Sequence, residues 1–336
     1  MTQMTFARAI NSGLRKSLEN DPKVVLMGED IGTLGGVFRV TDGLQKDFGK
    51  HRVVDTPLAE SGIVGTAVGL AYRGYRPVVE IQFDGFVYPA FDQIVCQVAK
   101  MHYRTKGAVK MPITIRIPFG GGIGSPEFHS ESPEAYFAHT PGLRIISPSS
   151  PQDAHTMIQQ AIACDDPVLF FEPKRRYHDK GEVDESGDPA GALSFEKARV
   201  VADGRDVTLV AYGPLIKTAR DVALAAADEG VSVEVIDLRS LAPVDFATVE
   251  ASVRKTGRLV IAHEAVQSGG LGAEIAASIT ERCFYYLEAA PVRVTGFDVP
   301  YPYSKLEMHH LPGLDRILDG VDRALGRPNS LSGLEG

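Results

Sequence analysis

The sequence predicts an α/β protein of two domains, each a mostly parallel sheet with helices on both faces. Short apolar runs of strand length alternate with stretches whose apolar residues recur at helical spacing. The alternation stops over residues 176–197, where charged residues, glycine and proline replace the apolar ones, and then it starts again. Strands that alternate with helices favour parallel sheets covered on both faces. We therefore expect domains over residues 1–175 and 198–336, joined by a linker over residues 176–197.

The first domain is expected to open with a helix, because Phe6, Ile10, Leu14 and Leu18 recur at helical spacing. A turn at residues 20–22 contains proline and ends this pattern. The further predicted elements of the domain are strands over residues 24–27, 77–83, 112–117, 143–147 and 167–172, and helices over residues 61–72, over residues 86–103 and from residue 151.

The second domain repeats the alternation without a short internal repeat. Its strands are predicted from apolar runs rich in β-branched residues, and its helices from apolar residues at helical spacing. The predicted strands cover residues 207–211, 231–236, 258–262 and 291–295, and the helices end at residue 229, cover residues 245–253 and 315–325, and follow residue 272.

Composition excludes several classes of function. The 336 residues are 44% hydrophobic and 23% charged, as in a soluble globular protein with room for two cores. A net charge of −8 and the absence of a Lys/Arg cluster argue against nucleic-acid binding. The apolar runs are too short to span a membrane, and the N-terminus lacks the pattern of a signal peptide. We therefore expect a cytoplasmic protein that binds neither nucleic acid nor membranes.

The cysteines also point to a reducing compartment. Cys96, Cys164 and Cys283 are odd in number and far apart, and no CxxC pair is present. This pattern argues against a disulfide framework and against a thiolate zinc site. We expect all three to be small buried apolar residues.

The stretch from Asp55 to Gly69 carries the first candidate catalytic residue, Glu60. Glu60 follows a short apolar strand and precedes a helix rich in small residues, and open α/β sheets bind ligands at such strand ends. The alternative is that Glu60 only caps the helix. Gly65 and Gly69 share one helix face, and since glycine destabilises a helix, we expect another helix, at a subunit interface, to approach there closely.

The second candidate is His129, which follows a glycine-rich loop over residues 119–125. Such a loop lets the backbone approach a ligand closely or lets the loop move. Ser130 and Glu131 are expected to orient the imidazole ring, and the alternative is an ordinary surface histidine. A further pair, His263-Glu264, ends a predicted strand before the glycines of residues 269–272. We expect a plain loop there, and the alternative is an anion-binding helix start.

Several long motifs, in one order, resemble a known family. They are Asp55-Thr-Pro-Leu-Ala-Glu60-Ser-Gly-Ile-Val-Gly, the segment over residues 80–94, His129-Ser-Glu-Ser-Pro-Glu134, the strand end over residues 170–174, and, in the second domain, residues 213–214, 237–239 and 263–264. Over almost the whole chain, the sequence resembles the beta subunits of 2-oxo acid dehydrogenase decarboxylase components. These are thiamine diphosphate enzymes of the transketolase superfamily, so the resemblance implies a transketolase-like pyrimidine-binding domain and a transketolase C-terminal-like domain.

The resemblance implies a role for each matching site residue. Glu60 matches the glutamate that hydrogen-bonds the cofactor's aminopyrimidine and starts its proton relay, and Leu58 matches a neighbouring backbone contact. Phe86 matches the aromatic residue that stacks on the pyrimidine, with Gln82 nearby. His129 matches the active-site histidine that supplies a proton when the acyl group moves to a lipoyl group.

The resemblance also implies a potassium site, as in some relatives. The matching positions are the backbone near Ile113 and Thr114, together with the carbonyl groups of Ala161, Cys164 and Asp166. The polar side chains usual at the second of these segments are replaced here.

One family motif is absent. Superfamily members hold magnesium and the diphosphate with a Gly-Asp-Gly motif, and this chain has none. The resemblance therefore implies an alpha subunit that supplies magnesium and the diphosphate half of the site, in a tetramer of two alpha and two beta subunits. The second domain is then expected to dock the lipoyl acyltransferase component.

The segments over residues 80–83 and 89–94 are most similar to the branched-chain type, with pyruvate or acetoin dehydrogenase as alternatives for the small 2-oxo acid substrate. A self-sufficient transketolase or deoxyxylulose-type synthase is disfavoured by the missing motif. An inert scaffold subunit is the alternative outside catalysis.

Overall fold

The computed structural model describes residues 1–327, so the end of the predicted second domain, residues 328–336, lies outside the described residues. Strands alternate with helices through both halves, as the hydrophobic pattern predicts. In the first half the elements are β1 (Thr2–Thr5), α1 (Phe6–Asn20), β2 (Val24–Gly28), α2 (Leu44–Phe48), β3 (Val53–Asp55), α3 (Glu60–Tyr72), β4 (Arg76–Glu80), α4 (Met101–Arg104), β5 (Thr114–Phe119), α5 (Glu134–Ala138), β6 (Arg144–Ile146), α6 (Pro151–Ala163) and β7 (Val168–Pro173).

The second half continues the series. Its elements are β8 (Lys180–Val183), β9 (Arg199–Ala202), β10 (Val207–Ala211), α7 (Ile216–Asp228), β11 (Val233–Asp237), β12 (Ser240–Ala242), α8 (Phe246–Thr256), β13 (Leu259–Val266), α9 (Leu271–Cys283), β14 (Val292–Gly296), α10 (Glu307–His310) and α11 (Leu314–Ala324).

Two sheets organise the chain. The first has seven strands in the order β12-β6-β7-β5-β4-β2-β3, and the second has five in the order β14-β13-β10-β11-β9. Neighbouring strands are parallel except at one edge of each sheet, where β12 and β9 run antiparallel. The central strands are buried along their whole length, which is why they read as continuous apolar runs. The predicted fold class is confirmed.

The two halves share one hydrophobic core. Its buried residues include Phe119 and Phe171 from the first sheet and Tyr212 and Ile236 from the second half. Strand β12, which follows the second half's β11, pairs with β6 and extends the first sheet. Strand β8, within the predicted linker, pairs with β1. The chain therefore crosses between its halves more than once.

The helix predicted over residues 86–103 is wrong as a single element. A 3-10 helix spans Asp84–Ala90, a π-helical stretch spans Gln93–Val98, and α4 follows. Pro89 lies inside the 3-10 helix, and proline removes a backbone donor that a regular helix needs. At Gly85 a side chain would meet the backbone of Phe128, since its Cβ would lie 2.5 Å from the Phe128 carbonyl oxygen. The irregular helix thus lets the His129 loop pack closely.

The cysteines are free, and their burial differs from the expectation. Cys283 is buried, whereas Cys96 and Cys164 are partly exposed. Among residues 1–327, no helix is both long enough and apolar enough to cross a membrane.

Candidate active site

The candidate residues lie along the edge of the seven-stranded sheet that is formed by the carboxyl ends of its parallel strands. Glu60 follows the carboxyl end of β3, Gln82 and Phe86 follow β4, and His129 follows β5. These three strands are parallel members of the same sheet. Their carboxyl ends therefore open on the same side, where open α/β sheets bind ligands.

Glu60 is the first residue of α3 and does not cap it. The N-cap is Ala59, so the capping alternative is wrong. The Glu60 side chain is buried, with 9% of the residue exposed, and within residues 1–327 it makes no hydrogen bond through its carboxylate. It lies near Glu29 at the end of β2, where burial and then the charges of Asp30 and Glu60 raise the pKa of Glu29. The carboxylate is therefore free to bond a ligand.

The two glycines on one face of α3 are partly or fully exposed, whereas Ala67 and Ala71 are buried. A side chain at Gly65 would have Gln93 as its neighbour at 3.6 Å, and one at Gly69 would meet nothing within 4 Å. Within the described chain, no helix makes the close approach that was expected at Gly69. Gly69 is therefore exposed.

An aromatic cluster surrounds the candidate histidine. The His129 ring stacks on Phe83, with centroids 3.8 Å apart, and meets the Phe86 ring edge-on at 5.3 Å. Phe86 is half-buried, whereas Leu58, between β3 and α3, is 63% exposed. The structure therefore brings Phe86 and His129 together and leaves Leu58 projecting.

The orientation of His129 differs from the expectation. Its Nδ1 lies 2.9 Å from the carbonyl oxygen of Phe128, and only a protonated Nδ1 can donate that bond, which leaves Nε2 free. Neither residue expected to orient the ring bonds it. The Ser130 hydroxyl donates to the Ser125 carbonyl, and the Glu131 carboxylate accepts from Tyr88. His129 is partly exposed but held by stacking, which an ordinary surface histidine is not.

The glycine-rich loop after β5 is held by two carboxylates from the second half. Glu264 accepts from the Gly121 amide at 3.0 Å, and Glu307 accepts from the amides of Gly122 and Gly124 at 2.7 and 3.0 Å. Glu264 lies in strand β13, which ends at Val266, and helix α9 begins at Leu271, directly after the glycines of residues 269–270. No local pattern marks either glutamate, because each contact spans more than 140 residues of sequence.

Known proteins resemble both halves of the chain. Residues 2–180 match the transketolase pyrimidine-binding domain family, and residues 196–317 match the transketolase C-terminal domain family. The chain is 60% identical over 322 residues to the pyruvate dehydrogenase E1 component subunit beta of Leifsonia xyli subsp. xyli (strain CTCB07), over 96% of this chain and 95% of that one. The chain belongs to the 2-oxo acid dehydrogenase beta subunits. This family contains thiamine diphosphate-dependent oxidoreductases.

Other beta subunits carry different substrate names. The chain is 53% identical to the 3-methyl-2-oxobutanoate dehydrogenase subunit beta of Mycobacterium tuberculosis (strain ATCC 25618 / H37Rv), over 97% of this chain and 93% of that one. It is 46% identical to the 2-oxoisovalerate dehydrogenase subunit beta of Pseudomonas aeruginosa, over 94% and 93%. A solved chain described as "Split gene transketolase, inactive beta4 tetramer" shares the fold, with a TM-score of 0.77, 23% identity and coverage of 96% and 98%.

In this beta subunit, a buried ion pair network lies beneath the site. Arg116 on β5 donates to Glu172 on β7 at 2.6 and 3.0 Å and to Glu80 on β4 at 2.5 Å. Tyr177 adds a hydrogen bond to Glu172 at 2.6 Å. Burial raises the pKa of Glu80, and the Arg116 charge opposes that shift. The network ties three neighbouring strands together below the ligand-binding edge.

The residues predicted for potassium adjoin one another at the other end of these strands. Ile113 directly precedes β5 and Thr114 begins it. Thr114 pairs with Val168, just after the segment that holds Ala161 and Cys164. The Thr114 hydroxyl is buried and has no hydrogen-bond partner within the described part of the chain. An unpaired buried oxygen of this kind fits a cation ligand.

Other groups at the potassium position already have partners. Arg76 donates to the carbonyl oxygens of Ile162, Ala163 and Cys164 at 3.1, 3.2 and 3.0 Å. The Asp166 carboxylate accepts from Arg144 and His102, and the Ile113 carbonyl accepts from Val168. The Arg76 guanidinium thus already brings a positive charge to the carbonyl oxygens of this segment.

Proposed function

We propose that this chain is the beta subunit of a branched-chain 2-oxo acid dehydrogenase decarboxylase component. With an alpha subunit, it would catalyse oxidative decarboxylation of 2-oxo acids and acyl transfer to the lipoyl group of the acyltransferase component. The observation that carries the proposal is the arrangement at one sheet edge. There, the unbonded carboxylate of Glu60 and the stacked ring of His129 follow strands whose carboxyl ends open to the same side.

Each residue has a task in this proposal. Glu60 would hydrogen-bond and protonate the pyrimidine nitrogen, and Phe86 would stack on that ring. Leu58 would offer a backbone contact, and Gln82 would lie beside the ring. Thiamine diphosphate supplies a carbon nucleophile and an electron sink when bound. His129, as an imidazolium, would deliver its Nε2 proton during acyl transfer while Nδ1 keeps its bond to the Phe128 carbonyl oxygen.

The alpha subunit completes the site in this proposal. The sequence has no Gly-Asp-Gly motif, so the partner would hold magnesium and the diphosphate. The outward glycine face of α3 offers a surface for close packing. Two alpha and two beta subunits would form the tetramer, located in the cytoplasm, with the domain boundaries set at residues 1–175 and 198–336. The second domain would dock the acyltransferase.

Substrate assays test the branched-chain assignment. Relatives named for pyruvate and for branched 2-oxo acids are both similar to this chain, so acetoin and pyruvate dehydrogenase remain alternatives. The reconstituted alpha–beta pair should turn over 3-methyl-2-oxobutanoate and 4-methyl-2-oxopentanoate with higher kcat/KM than pyruvate. A clear preference for pyruvate would overturn the branched-chain assignment.

Replacing Glu60 with Gln tests the catalytic role in the same assay. Loss of the relay should lower turnover by a factor on the order of 10²–10⁴. Glu229→Gln, at an exposed site next to the end of α7, is the matched control and should leave turnover unchanged. Near-normal turnover of Glu60→Gln would remove Glu60 from the mechanism and favour a scaffold role.

We also propose that Thr114 helps to bind potassium. If so, potassium should raise the Tm of the beta subunit more than sodium does at equal ionic strength, because a specific ion stabilises the state that binds it. Thr114→Val should abolish the difference. Equal Tm values for the unmodified chain in the two salts would exclude the site.

A further inference from the structure

A buried ion pair lies directly under the His129 loop. Asp84 follows the β4 strand region, Lys174 follows β7, and both side chains are fully buried and in contact. Neither residue takes part in the Arg116 network or in the proposed proton steps. Both residues nevertheless lie next to the ligand-binding edge.

The pair holds the backbone on both sides of Ser130. Lys174 Nζ donates to the carbonyl oxygen of His129 at 2.5 Å. The second carboxylate oxygen of Asp84 accepts from the amide of Glu131 at 2.8 Å. Lys174 and Asp84 therefore join each other and also fix the two peptide groups that flank Ser130.

The same pair contacts the support of the imidazole ring. Lys174 Nζ lies 5.7 Å from the centroid of the Phe83 ring, within the range of a cation–π interaction. Phe83 in turn stacks on His129 at 3.8 Å. Lys174 is thus linked to His129 through its backbone and through its ring.

The pair is costly for a purely structural element. Burial raises the pKa of Asp84 and lowers the pKa of Lys174, and each charge opposes the shift of the other. Apolar side chains of similar volume often stabilise a core as well as a buried ion pair does. Asp84 and Lys174 hydrogen-bond the backbone of the His129 loop, and apolar side chains could not make these bonds.

We propose that Asp84 and Lys174 are positioning residues that fix His129 for proton delivery during acyl transfer to the lipoyl group. This inference rests on the proposed function. In that transfer the S–S bond of the lipoyl group breaks, one sulfur takes the acyl group, and the other leaves as a thiolate. Two electrons released with carbon dioxide reduce the disulfide. The imidazolium form of His129 gives its Nε2 proton to the thiolate, which becomes a thiol, and keeps its Nδ1 proton on the Phe128 carbonyl oxygen.

The positioning role predicts different effects on two rates of the reconstituted enzyme. Decarboxylation with a dye as electron acceptor does not require the His129 proton, whereas reductive acylation of the lipoyl domain does. Misplacing a proton donor by about 1 Å can cost on the order of 100-fold in rate. Lys174→Met should therefore lower kcat for acyl transfer by about 10- to 100-fold and leave dye-coupled decarboxylation within about twofold.

Three further variants complete the experiment. Lys174→Met leaves a buried unpaired carboxylate, so Asp84→Asn/Lys174→Met removes both charges and keeps an acceptor for the Glu131 amide. It should show the same selective loss. His129→Gln gives the reference pattern for loss of the proton donor. Lys255→Met is the matched control, since Lys255 pairs with Glu234 far from the loop and should change neither rate.

The outcomes are distinct. An unmodified pair that fails to decarboxylate any 2-oxo acid would refute the proposed function. If the unmodified pair is active, equal loss of both rates in the double variant, or loss of neither, would overturn the positioning role. Selective loss of acyl transfer, matching His129→Gln, supports it.

Discussion

Glu134 is a single buried acid at the junction of the two halves. It is the first residue of α5, and one carboxylate oxygen accepts a hydrogen bond from Tyr212 of the second half. Burial raises the pKa of Glu134 to about 7, the Tyr212 bond opposes the shift, and the charges of Glu264 and Asp84 add to it. The other carboxylate oxygen has no partner within the described residues. In the folded chain, the Glu134 carboxyl group is thus mostly protonated below about pH 7.

This predicts a pH dependence of stability. Between pH 4.5 and about 7 the folded chain keeps a proton on Glu134 that the unfolded chain has lost, so the free energy of unfolding falls as pH rises through this range. The shift corresponds to about 3 kcal/mol. Glu134→Gln, which is neutral at every pH, should reduce the difference in unfolding free energy between pH 5 and pH 8. Urea titrations at both pH values measure this, and an unchanged difference would contradict the prediction.

At the scale of elements, the glycine-rich loop depends on a distant short helix. Glu307, the first residue of α10, holds the amides of Gly122 and Gly124, and Tyr301 donates to it at 2.7 Å. At the other end of the loop, the Gly120 amide donates to the carbonyl oxygen of Glu131. The loop therefore connects the second half to the segment that carries His129.

Loss of the Glu307 charge should loosen this connection. Glu307→Gln removes one acceptor and the charge, and hydrogen bonds to charged groups contribute about 1.5–3 kcal/mol each. We expect the free energy of unfolding to fall by about 2 kcal/mol and kcat of the reconstituted enzyme to fall as well. Glu281→Gln, at an exposed position of α9, is the control. Equal stability and kcat for the two variants would show that the loop does not need Glu307.

Most elements could be predicted because their signals are local. Apolar spacing gave α1, and apolar runs gave the buried strands β5 and β7, with ends shifted by one or two residues. The helix over residues 86–103 could not be predicted as three pieces. Its irregular shape follows from close packing against Phe128, a contact that spacing does not reveal.

The site could be predicted only in part. Glu60 and His129 lie in motifs that the resemblance covers, and the structure puts both at the same sheet edge. Lys174 and Glu264 could not be assigned roles, because their partners are 45 or more residues away along the chain. Ionic contacts over such distances leave no periodic pattern in a single sequence.

At the scale of the whole molecule, the two halves are interlocked. They share a core cluster, and β12 from the second half forms the edge of the first sheet. The Arg175 guanidinium also pairs with Glu264 across the junction at 2.6 Å. Relative movement of the halves would break apolar, hydrogen-bonded and ionic contacts together.

The edge position of β12 has a consequence for recombination between homologous genes. A crossover in the exposed stretch around residues 186–192 would exchange the C-terminal half of the chain. That half includes β12, the three-residue strand at the edge of the seven-stranded sheet. A chimaera inherits a foreign edge strand whose register must fit β6. Parent genes that differ at residues 144–146 or 240–242 would thus yield hybrids in which β12 and β6 pair poorly, even when each half is intact.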